Sequence, residues 1–145
     1  MHVLHVHGRA VGYIRVGKRD EDAYQCLASR QIDMIARWAA EHDSDVFDWF
    51  FDIGVDEGEP FELRPAGSQL LGRIGRGGLD FVIVASLDTL GRGAALFDAL
   101  RLVMGAKEEV GVVAVVPGPR VTSRIAEPAG LTRPQVDGAD VLKAA

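Results

Sequence analysis

The chain has 145 residues, of which 48% are hydrophobic and 26% charged. That is the composition of a single globular domain with a sizeable core, and it excludes a disordered chain. A net charge of −5 at neutral pH argues against a protein that grips nucleic acid by bulk electrostatics. Cys26 is the one cysteine, which excludes an internal disulfide and a Cys-built metal site. The late apolar run 112–116 is far too short to span a bilayer, and the N-terminus lacks the pattern of a signal peptide, so a cytoplasmic protein with no membrane partner is expected.

In chain order, residues 11–16 (VGYIRV) read as a first strand. The acidic cluster RDEDA, 19–23, is expected to supply the N-cap and the negative charge for a helix over 24–41. Leu27, Met34, Ile35 and Trp38 share one face of that helix. An aromatic-rich strand, 46–51, ends at Asp52, and a long polar loop, 53–64, follows. Pro65 suits the first turn of a second helix with Leu70, Leu71 and Ile74 as its apolar face. The GRGG at 75–78 closes it, since glycine tolerates left-handed backbone. The longer stretch GRIGRGG, 72–78, looks like a phosphate loop, but such a loop follows a strand and opens a helix, whereas this one does the reverse.

FVIVA, 81–85, is continuously apolar and β-branched, as in a strand covered on both faces. A third helix over 93–106 carries Leu96, Leu100, Val103 and Met104 on one side, and 111–116 is the last clear strand. From Pro117 on, four prolines argue against a long helix, and a short helical turn is expected near 136–143. The domain organisation expected is therefore an α/β domain over 1–117 and a Pro/Gly-rich tail over 118–145, partly disordered or with that one short helix.

The order β-α-β-α-β-α-β implies a three-layer α/β domain with a mainly parallel sheet of four to five strands. Functional groups in such sheets gather at the carboxyl ends of the strands. Those ends carry Arg15 and Gly17, then Asp52, then 86–92, so three chain-distant polar groups should converge on one rim. His2, His5 and His7 alternate near the N-terminus, with His5 and His7 on one face, but no acidic or Cys partner is adjacent and no metal site is expected. Trp38 and Trp49 are expected to be packing residues.

Five ordered motifs, YIRVG, LASRQ, FFDIGVDEG, LRPAGSQLL and ASLDTLGR, together resemble the catalytic domain of the serine recombinases, the resolvase and invertase family, over about residues 12–116. The resemblance implies the resolvase-type α/β fold and DNA cutting and rejoining, with no cofactor. In that family a serine at the end of the first strand attacks a backbone phosphate and becomes joined to DNA, while arginines stabilise the charge spread over the phosphoryl oxygens. Arginine suits this because its planar fork pairs two oxygens at once.

Carried over to this chain, Tyr13 and Arg15 match the first-strand pair, Gln31 a glutamine of the first helix and Asp52 the acid closing the second strand. Arg64 matches an arginine that contacts the scissile phosphate, and Asp88 and Arg92 match the acid and last arginine of an LDRLGR motif. Arg15, Arg64 and Arg92 are thus the expected phosphate- or DNA-binding residues, with Asp88–Arg92 read as a structural ion pair and Asp52 as a loop cap. Three positions depart from the pattern. Gly17 stands at the nucleophile, Asp56 where a serine usually occurs and Thr89 at the central arginine of the phosphate clamp. The last two shift the pocket by about two charges against phosphate, and each lost donor at such a site is worth roughly 3 kcal/mol of barrier.

The expected function is therefore a recombinase-like domain without strand exchange, acting as an accessory or regulatory protein that docks on a related recombinase subunit or on itself, with weak DNA contact alone. No long dimerising helix or helix-turn-helix is visible after residue 116. The alternative is an active recombinase or phosphoryl-transfer enzyme in which Thr89, Ser86 or Ser68 replaces the missing hydroxyl.

Overall fold

A computed structural model describes residues 8–105, 110–116, 131–132, 135–136 and 139–144. The first strand, β1 (Gly8–Val16), is followed by helix α1 (Tyr24–Glu41), strand β2 (Ser44–Ile53) and helix α2 (Pro65–Gly75). Strand β3 (Phe81–Val84), helix α3 (Gly93–Gly105) and strand β4 (Gly111–Ala114) complete the alternation. Three further strands follow: β5 (Leu131–Thr132), β6 (Gln135–Val136) and β7 (Ala139–Ala144). The body of the sheet runs β2-β1-β3-β4-β7; β1, β2, β3 and β4 are parallel, and β7 is antiparallel to β4. This is the expected α/β architecture.

Alternation along each strand divides the core in two. Val11, Tyr13, Val82, Val84 and Val112 meet Leu70 and Ile74 of α2 and Leu100 and Val103 of α3 on one face. On the other, Ala10, Ile14, Ile83, Val113 and Val141 meet Ile35 and Trp38 of α1. Every residue of β3 is buried, as its unbroken apolar sequence requires. Gly12 has a steric task, because the Trp49 ring lies where its Cβ would stand, so glycine lets that ring seat on the sheet. Pro65 opens α2, and Gly77 (φ 79°) and Gly78 (φ 83°) take left-handed backbone just past its end.

Two local expectations are corrected. The acidic cluster does not cap α1: residues Lys18–Ala23 form their own 3-10 turns, and Ala23, which precedes α1, makes no side-chain cap. The start of this segment is held instead from the loop after β2, where Asp56 Oδ1 accepts the Lys18 main-chain N–H at 2.9 Å. The described residues of the stretch 136–143 are not helical either. Val136 belongs to β6 and residues 139–143 to β7, and β7 pairs Leu142 with Val112, Val141 with Val113 and Asp140 with Ala114. The unpaired donors and acceptors of the β4 edge outweigh the helix propensity of alanine, leucine and lysine in ADVLKA. Residues 139–144 thus join the sheet of the main domain, beyond the boundary expected at 117. His2, His5 and His7 lie outside the described residues.

Candidate functional site

At the carboxyl ends of β1 and β2 the chain builds a connected polar core. Parallel register sets Arg15 beside Asp52. Asp52 is 2% exposed. Its Oδ1 accepts from Ala66 N at 2.8 Å, and its Oδ2 from Gly67 N at 3.0 Å and from the Tyr13 hydroxyl at 2.7 Å. It therefore caps the N-terminus of α2, where a carboxylate is favoured by the free N–H groups and the helix dipole. Burial pushes the Tyr13 phenol well above its ordinary pKa. The Arg64 hydrogen bond pulls it down, and the Asp52 carboxylate adds a smaller upward push.

Arg64 is the largest fully buried side chain among the described residues. Its Nε donates to Glu59 O at 2.8 Å, and Nη1 to Thr89 O at 2.9 Å and the Tyr13 hydroxyl at 3.3 Å. Nη2 donates to Glu57 O at 3.1 Å and Leu90 O at 2.9 Å. One guanidinium thus ties the loop after β2 to the loop after β3. Arg15 does similar work nearby, donating through Nε to Thr89 O (3.1 Å), Nη1 to Val55 O (3.0 Å) and Nη2 to Asp88 O (3.1 Å). Burial, and then the charge of Arg64, lower the Arg15 pKa.

Outside this polar core lies a hollow of about 670 Å³. Arg15, Arg19 and Arg92 line it together with Asp20, Asp56 and Glu57, so three cations face three carboxylates. Val16, Gly17, Leu27 and Gln31 complete the wall. Arg92 Nε pairs with Glu57 Oε2 at 3.1 Å and Asp88 Oδ1 at 3.4 Å. Both pairs are exposed and individually weak. Gln31 donates through Nε2 to Arg15 O at 2.9 Å, while its Oε1 is buried without a partner among the described residues. Gly17 has ordinary extended backbone (φ −70°, ψ 157°). A Cβ there would stand 3.2 Å from Asp56 Oδ1 and 3.7 Å from Arg15 Nη1.

Of the residues expected from sequence, the structure brings Arg15, Gly17, Gln31, Asp56 and Arg92 to one hollow. Tyr13, Asp52 and Arg64 lie behind it in the polar core. Arg64, expected beside Arg15 and Arg92, is 1% exposed and does not line the hollow, because four backbone carbonyls and a phenol take its donors. Thr89 is buried and offers the site its carbonyl; neither it nor Ser86 nor Ser68 lines the hollow. Asp88 is exposed and reaches the site through Arg92. Sequence reasoning missed Arg19, Asp20 and Glu57. For Glu57 a signal existed, since it adjoins Asp56 in the same loop; Arg19 and Asp20 stand just after Gly17 but read, in sequence, only as part of the cluster expected to cap α1.

Among the described residues, no hydroxyl, thiol, amine or imidazole side chain lines the hollow. No cluster of three or more His, Cys, Asp or Glu suited to a metal occurs among them. No helix among them is long and apolar enough to cross a membrane.

The fold is that of serine recombinase catalytic domains. The chain is similar to the N-terminal catalytic domain of TP901-1 integrase (TM-score 0.60, 22% identity, 74% of this chain and 76% of that one). It is also similar to the C-terminal catalytic domain of ISC1926 TnpA, an IS607-like serine recombinase (TM-score 0.62, 23% identity, 74% and 70%). A resolvase family site-specific recombinase from Streptococcus pneumoniae superposes comparably (TM-score 0.60, 23% identity, 74% and 71%). Residues 10–124 match the family of the resolvase N-terminal domain, and the chain belongs to that family. No curated protein matches it by sequence.

Proposed function

We propose that this resolvase-type domain does not cleave DNA and acts as an accessory or regulatory protein. The observation that carries the reading is the wall of the hollow at the end of β1, which has Gly17 at the family's nucleophile position and, among the described residues, no hydroxyl side chain to take its place. The electrostatics support it. Arg15 and Arg64 donate to backbone carbonyls, Arg92 is paired with two carboxylates, and Asp56 and Glu57 add negative charge where a phosphate would need positive potential. A domain that keeps its fold without its nucleophile can still dock on a related recombinase subunit.

The test is to incubate the full chain with supercoiled and nicked DNA, quench with denaturant, and look for a protein–DNA covalent adduct. None is expected. An adduct that disappears in Thr89→Ala or Ser86→Ala would overturn the proposal by identifying a replacement nucleophile. Light scattering and affinity capture with recombinase-family subunits address docking; a strictly monomeric chain that captures none of them would defeat the accessory role.

A further inference from the structure

At the opposite end of the sheet, eight residues along β1 from Gly17 and so about 26 Å away, two arginines meet on one aromatic ring. The Arg9 guanidinium lies 4.5 Å from the centroid of Phe47, and that of Arg73, in the last turns of α2, lies 5.3 Å from it. Phe47 is 36% exposed and sits at the irregularity where β1 and β2 lose register between Ala10 and Val11. The missing side chain of Gly78 opens the space between the two cations: a Cβ there would stand 3.4 Å from Arg9 Nη1 and 3.9 Å from Arg73 Nη2. Arg76, exposed, adds a third cation at the end of the same helix.

Arg92 and Arg101 are paired with carboxylates. Among the described residues neither Arg9 nor Arg73 forms an ion pair with a carboxylate. Asp80, at this same end, accepts the Arg9 main-chain N–H through Oδ2 at 2.8 Å, and Asp48 Oδ1 accepts the main-chain N–H of Trp49 at 2.9 Å. Arg73 Nη1 donates to Gly77 O at 2.7 Å, which fixes the side chain while leaving Nη2 toward the gap. The cations are therefore held in place before any ligand arrives, which lowers the entropic cost of binding.

We infer that Arg9, Phe47 and Arg73 form a docking platform for an acidic segment of a partner protein, whose carboxylates enter the gap over Gly78. Arginine and aromatic residues in one semi-exposed cluster are the side chains that dominate protein–protein hot spots. A focal pair of forks suits one or two carboxylates. A DNA backbone would need a row of cations, and the platform offers a focal pair instead. The platform deepens the accessory reading by naming its surface, yet it shares no residue with the hollow.

The experiment is an amide and arginine side-chain NMR titration of the full chain at low salt with a glutamate-rich peptide, and in parallel with a DNA duplex and with inorganic phosphate. The peptide should shift Phe47, Gly77, Gly78 and the Arg9 and Arg73 side-chain resonances. Its affinity should fall at least fivefold in Arg9→Gln and in Arg73→Gln, and partly in Arg73→Lys, which keeps charge but loses the fork. Both glutamine variants should keep the wild-type spectrum elsewhere. Peptide shifts that ignore these substitutions, or no shifts at saturation, would overturn the platform. So would DNA or phosphate shifting the same residues more strongly, or concentration-dependent self-association that Arg73→Gln abolishes. An adduct in the cleavage assay would sink the accessory reading and leave these shifts untouched, so the two failures are separable.

Discussion

Replacing Arg64 with methionine removes the clamp between the two loops that frame the hollow. Four backbone carbonyls, those of Glu57, Glu59, Thr89 and Leu90, and the Tyr13 hydroxyl lose a charged donor at once. A buried acceptor left unsatisfied costs about 1–3 kcal/mol, and breaking a buried charge network typically costs about 3–5 kcal/mol once water and loop relaxation recover part of the loss. A destabilisation of about 4 kcal/mol is expected, a large share of the roughly 5–15 kcal/mol that holds a domain together. At about 2–4 °C per kcal/mol for a chain of this size, Tm should fall by roughly 12 °C. Urea unfolding followed by circular dichroism measures it, and limited proteolysis should show cleavage in 54–60 appearing first. A loss below about 1 kcal/mol would refute the reasoning, because an arginine that faces ligand instead of carbonyls can be removed without harm to the fold.

Asp52→Ala deletes three hydrogen bonds at the start of α2 and should cost about 3 kcal/mol; hydrogen exchange should accelerate at Ala66 and Gly67 before the rest of the helix. The folded Tyr13 phenol keeps its proton where the unfolded chain has lost it, so its contribution is complete below about pH 10 and declines as pH rises further, by at most about 1.4 kcal/mol per unit. Urea curves from pH 8 to 11 should therefore show the gap between wild type and Tyr13→Phe narrowing above pH 10; parallel curves would contradict the assigned burial. Gly17→Ser should fold with a stability change under about 1 kcal/mol, since its backbone is ordinary and Asp56 needs to yield only a few tenths of an ångström. It should form no DNA adduct, with Thr89 still at the clamp position and Asp56 and Glu57 still facing the hollow; an adduct would show the remaining site to be competent.

Much of the fold was legible because each local signal had one reading. The unbroken FVIVA required a doubly covered strand, Pro65 and GRGG bounded α2, and alternation of strands with helices dictated parallel pairing. The tail was not legible. Four of the six residues in ADVLKA are good helix formers, and its strand conformation follows from the open edge of β4, which local sequence does not contain. The acidic cluster misled for a similar reason: its anchoring carboxylate, Asp56, comes from 38 residues away. At the site, the residue types on the rim could be read from strand ends, but their directions could not. An arginine before a helix reads as an anion contact, and Arg64 turns inward only because the loops after β2 and β3 present converging carbonyls. Asp52 read as a loop cap and stands instead at the N-terminus of α2.

The antiparallel β7 also guards the sheet. It covers the edge of β4, pairing Leu142 with Val112 and Val141 with Val113. An uncovered edge of this kind is a template for another chain. Detaching residues 139–144 would therefore bare Val112 and Val113 and turn the tidy end of a sheet into a seed for aggregation.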